Sequence, residues 1–86
     1  MANKYEEVAR ILNDMASVKM AMNSHKGKIE DIHPDEAVAM LQGELDELAE
    51  ACNGSDLMHV IEEAADIQNF LLALVHQQLA KYRSRK

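Results

Sequence analysis

At 86 residues the chain makes one small domain with a modest core, so completion by a second copy is expected. Apolar residues make up 48%, yet only two Tyr, one Phe and no Trp occur, and Ala, Leu, Met and Glu dominate; this argues against sheet and for an all-α fold. A net charge of −6 disfavours a nucleic-acid backbone as partner, no run approaches membrane-spanning length, and the start MANKYEEVAR lacks the apolar stretch of a signal peptide, so with Cys52 alone the expected setting is the reducing cytoplasm.

The spacing predicts a first helix from about Asn3 to Asn23, with Glu6 and Glu7 near its positive end and Val8, Ile11, Leu12, Met15 and Val18 as its inner face. Residues 24–33, SHKGKIEDIH, lose the period and form the one long loop. Pro34, Asp35 and Glu36 open a second helix that runs to about Cys52. Asn53-Gly54 ends it, and Ser55-Asp56 starts a third helix, free of Gly and Pro, that reaches about Tyr82. The second and third helices must form a long antiparallel hairpin. The basic end KYRSRK suits a helix C-terminus.

Turning each residue 100° about its axis puts Val38, Leu41, Leu45, Leu48 and Cys52 on the main stripe of the second helix. Glu44 and Glu47 fall on another strip, beside Ala37, Met40 and Ala51, where partial cover is expected. On the third helix Leu57, Val60, Ile61, Ala64, Ile67, Leu71, Leu72 and Val75 form the main stripe, and Glu62, Glu63, Asp66, Asn69, Phe70 and Ala73 lie opposite. The run FLLALV, residues 70–75, is apolar all round, as a helix is when a second layer, here from another subunit, covers its far side. Measured from the turn, Glu44 and Glu63 are level, with Glu47 nearer the loop and Asp66 deeper, so the four acids span roughly 9 Å along the axis. Two carboxylates about 4 Å apart repel by roughly 4 kcal/mol at an effective dielectric near 20. Such a cluster needs protons, solvent or a divalent cation, and an oxygen-only donor set favours Mg²⁺, with Mn²⁺ as an alternative, over zinc.

These residues resemble the MazG-like all-α nucleoside triphosphate pyrophosphohydrolases, particularly their small phage-type members. The likeness lies in Glu-x-x-Glu at Glu44 to Glu47, a short gap, then Glu-x-x-Asp at Glu63 to Asp66 within EEAADIQNF, and in the loop piece NSHKGK, residues 23–28. It covers roughly residues 15–76, and the whole chain, 1–86, is read as one such domain. The resemblance implies hydrolysis of a nucleoside triphosphate to monophosphate and pyrophosphate, with Mg²⁺ on Glu44, Glu47, Glu63 and Asp66, in a homodimer or homotetramer. Lys26 and Lys28 would cover the phosphates, with His25 as a neighbour, and Asn69 would reach base, sugar or a metal-bound water. Gly43 stands where many relatives carry a further Glu, so Glu47, Glu50 or Glu62 would take the water's proton. Ile29 stands where many carry an aromatic, so Phe70 or a Tyr would have to supply any stacking.

A competing class is a helical dimerisation module with no chemistry, which would use the same leucines and show no dependence on divalent metal. A ferritin-like di-metal oxidase needs Glu-x-x-His steps, and neither acidic pair continues into one.

Overall fold

In the computed structural model, which describes residues 3–22 and 32–85, three helices follow one another: α1 Glu6–Met22, α2 Pro34–Asn53 and α3 Leu57–Ser84. No strand occurs among the described residues, and the architecture is all-α. Side-chain caps start α2 and α3, and a local Asn turn leads into α1. Asn3 Oδ1 accepts from the Tyr5 N–H at 2.8 Å, just ahead of α1. His33 Nδ1 accepts from the Asp35 N–H at 3.2 Å, with Pro34 in the first turn of α2, and Asp56 Oδ1 accepts from the Met58 N–H at 3.0 Å at the head of α3. Asn3 and Asp56 thus stand outside the helices they start. After α2 the Gly54 N–H returns to the Ala51 carbonyl at 3.1 Å, with φ −87°, so the turn does not use a left-handed glycine.

At 1.5 Å per residue the 28 residues of α3 form a rod of about 42 Å, close to the longest dimension of the molecule, 46 Å. Both α1 and α2 pack on α3 and hardly on each other, so α3 is the spine. Phe70 is the largest side chain in the core, and its burial contributes about 1.5–3 kcal/mol. The other buried apolar residues among those described are all alanines: Ala16, Ala37, Ala51, Ala65 and Ala73. Methyl groups at the crossings let the helix axes approach closely.

The expected inner stripes are only partly covered. Val8, Ile11 and Val18 on α1, Val38, Leu45 and Cys52 on α2, and Leu57, Leu71, Leu72 and Val75 on α3 are exposed. Leu12, Met15, Leu41, Leu48, Val60, Ile61, Ala64 and Ile67 are half-buried at the margins. The side of α3 carrying Glu62, Glu63, Asp66, Asn69, Phe70 and Ala73 is the inward one. Periodicity ranks stripes by the bulk of their apolar residues, whereas here, Phe70 apart, the fully buried apolar positions hold alanine and the large aliphatic residues are half-buried or exposed. A half-hidden acidic strip is therefore part of the interior.

Polar contacts lock α1 onto the spine. Gln68 Nε2 donates to Asn13 Oδ1 at 2.5 Å, and Asn69 Nδ2 donates to the Ala16 carbonyl at 3.0 Å in a buried setting. Nearer the other end of α3, Gln77 Nε2 donates to the Ile32 carbonyl at 2.6 Å and ties down the segment that enters α2.

Candidate metal centre

The hairpin brings Glu44 from α2 opposite Glu63 and Asp66 from α3. One carboxylate oxygen from each of the three lies within 4.8 Å of the others, and all three residues are half-buried. On α2, Glu44 shares its strip with Ala37 and Ala51, which are 1% and 2% exposed, so the helix side that seats against α3 carries the carboxylate inward. On α3, Ala65 and Asn69 flank Asp66 and are buried. The acids are held by close backbone contact on both sides.

The electrostatics are unfavourable without a cation. Burial first, then Glu47, Asp66 and Glu63, raises the Glu44 pKa from 4.5 to about 7. Burial first, then Glu47 and Asp66, raises that of Glu63 too, and a hydrogen bond from His59 acts against the rise. His59 Nε2 lies 3.3 Å from Glu63 Oε1, one helical turn away. Across the site Lys19 Nζ, from α1, stands 3.4 Å from Asp66 Oδ2. Oε2 of Glu44 and Oε2 of Glu63 are inaccessible to solvent and have no hydrogen-bond donor among the described residues. Two orphaned carboxylate oxygens in an all-oxygen group are what a hard divalent cation would satisfy. Glu44, Glu63 and Asp66 would hold such an ion, which would neutralise the charge they crowd together.

The four acids, all of α2 and all but the outer ends of α1 and α3 lie within one stretch that the family model for phosphoribosyl-ATP pyrophosphohydrolase matches, residues 7–80. The chain belongs to this family. It is a MazG-like, all-α family of the nucleoside triphosphate pyrophosphohydrolase type, so a pyrophosphohydrolase activity is supported. No curated protein and no solved structure matches this chain.

Within this family domain the other expected residues separate. Glu47 is exposed, yet its charge helps raise the pKa of Glu44 and Glu63, which sets it beside the three-carboxylate group rather than in it. Glu50, one turn further toward the connection, is exposed, and Glu62 is half-buried on α3. Asn69 is 5% exposed, with its amide on the Ala16 carbonyl, which makes it a clamp between helices as well as a neighbour of Asp66. Lys26 and Lys28, with His25, lie outside the described residues. Sequence reasoning passed over Lys19 and the pairing of His59 with Glu63. Each had a signal: Lys19 shares a helical side with Leu12 and Ala16, and His59 stands four residues before Glu63.

Proposed function

We propose that the chain is a Mg²⁺-dependent pyrophosphohydrolase that cleaves a nucleoside triphosphate between its α and β phosphates, giving the monophosphate and pyrophosphate. One observation carries the reading: within the matched segment, three carboxylates from two helices converge to within 4.8 Å. Glu44, Glu63 and Asp66 would hold the cation, with Glu47 completing the set from the rim, and Mn²⁺ would serve in its place. When bound, the ion supplies charge neutralisation on the phosphates and makes water easier to deprotonate.

The chain's own groups account for the rest of the chemistry. Water attacks phosphorus as the bond to the leaving pyrophosphate breaks, and a carboxylate accepts the water's proton. Glu47 is best suited to this, since it acts electrostatically on Glu44 and remains open to solvent. Glu62 and Glu50 are the secondary candidates. Lys26 and Lys28 would bind phosphate oxygens, and Asn69 would set the position of α1 beside the substrate.

The substrate class includes the common and deoxy triphosphates, and the name of the matched family adds phosphoribosyl-ATP to the panel. A homodimer or homotetramer is inferred from the exposed Leu71, Leu72 and Val75 on the far side of α3. No helix of the described residues is long and apolar enough to cross a membrane. A cytoplasmic setting is inferred with support from the free, exposed Cys52, and the net charge of −6 favours nucleotide bound through a cation over nucleic acid.

The test incubates the purified protein with each triphosphate and Mg²⁺ and measures both products. Equal amounts of pyrophosphate and monophosphate are expected, and Glu63→Gln and Asp66→Asn should each cut turnover at least about 100-fold. Orthophosphate as the product would reject the cleavage position. Turnover surviving both substitutions, or a folded protein inert toward the whole panel, would reject the enzyme and favour a helical dimerisation module.

A further inference from the structure

The acidic site has a third wall. Lys19 sits on the inward side of α1 and reaches Asp66 Oδ2 at 3.4 Å, with the two side chains only 21% and 24% exposed. The Asn69 bond to Ala16 and the Gln68 bond to Asn13 fix the backbone that carries it, so the root of Lys19 is stationary and its four-carbon stem is the movable part. Asp66 belongs both to this ion pair and to the three-carboxylate group. An ammonium and a divalent ion beside the same carboxylate repel each other, so each weakens the hold of the other. A triphosphate carrying one divalent ion is still negatively charged, and its nonbridging oxygens would offer the ammonium a second anionic partner.

Resting on the metal-site reading above, we propose that Lys19 is a substrate-phosphate ligand, parked on Asp66 as the resident counter-cation and transferred to the triphosphate oxygens when a divalent ion occupies the carboxylates. The ion pair is then a preformed stage of substrate binding. Phosphate recognition by α1 also brings all three helices into one site.

The experiment compares the wild type with Lys19→Met, Lys19→Gln and Lys19→Arg, each checked for native helicity. Mn²⁺ binding without nucleotide is followed by electron paramagnetic resonance, and kcat and KM are measured with Mg²⁺ and the best triphosphate. Lys19→Met and Lys19→Gln should bind Mn²⁺ several-fold more tightly than the wild type, because a competing cation is gone. Their KM should rise about ten-fold or more, the loss expected of one charge-assisted contact, with a smaller change in kcat. Lys19→Arg should keep KM within a few-fold of the wild type. Unchanged KM in the Met or Gln variant, or Mn²⁺ affinity that falls with the lysine removed, would reduce Lys19 to a structural ion pair and overturn the proposal. Failure of the wild type to bind Mn²⁺ would remove the metal-site reading itself and the proposal with it.

Discussion

Replacing Glu44 by Gln keeps the shape of the side chain and removes its charge, which tests the electrostatics of the site without any substrate. Burial and the neighbouring acids lift the Glu44 pKa from 4.5 to about 7. In protein stripped of divalent ions, native Glu44 therefore keeps its proton between about pH 4.5 and pH 7, where the unfolded chain has released it. The native state binds more protons in that window, so stability falls as pH rises through it and levels off above. At about 1.4 kcal/mol per pH unit the ceiling is about 3.5 kcal/mol. Glu44 is partly open to solvent, and screening brings the expectation down to about 1–2 kcal/mol. In a domain of this size each kcal/mol moves Tm by about 4–8 °C, so the wild type should melt about 5–15 °C lower near pH 8 than near pH 5 on account of this group. Circular-dichroism melts in chelator at half-unit pH steps supply the measurement. Subtracting the Glu44→Gln profile removes the histidine contributions common to both proteins. Mg²⁺ at pH 8 should raise the wild-type Tm more than that of the variant. A wild-type-minus-variant difference that is flat, or that rises with pH, would refute the picture of a proton-holding carboxylate.

Other substitutions probe the scaffold. Asn69→Ala removes the buried bond to the Ala16 carbonyl and should cost about 1–3 kcal/mol in urea unfolding. If the clamp also sets the site, its Mn²⁺ affinity should change as well. Gly43 lies inside α2, and a methyl group added to its Cα would meet nothing within 4 Å, so Gly43→Ala should stabilise the protein by about 0.5–1 kcal/mol by the same assay. Leu71→Asp combined with Leu72→Asp on the exposed side of α3 should shift sedimentation toward the monomer while helicity is retained.

Of the four acids whose spacing suggested one cluster, Glu44, Glu63 and Asp66 come within 4.8 Å of one another, and Glu47 is exposed outside that group. A short connection joins the helices that carry Glu44 and Glu63, Asp66 is one turn from Glu63, and the hairpin follows from where α2 stops and Asp56 caps α3. Helix starts were equally legible, because Pro34 and Asp56 are local signals whose effect needs no tertiary partner. The direction in which each helix faces was not legible. An outward Leu72 and an inward Leu have the same periodicity, and only the close approach allowed by Ala65 and Ala73 decides which side meets the neighbouring helix. Lys19 was hidden for a related reason. A lysine on a helix reads as solvated until the partner across it, here Asp66, is known.

The alanine interior also governs how the chain can vary. Ala65, 0% exposed, is adjacent to Asp66, so an added methylene there has no empty space to enter and must push a neighbouring rod away. Any such displacement would be transmitted to the oxygen atoms one residue along. The smallest side chains thus act as gauge blocks for the hollow beside them, and substitutions that conserve hydrophobicity there can disable the centre as surely as the loss of an acid.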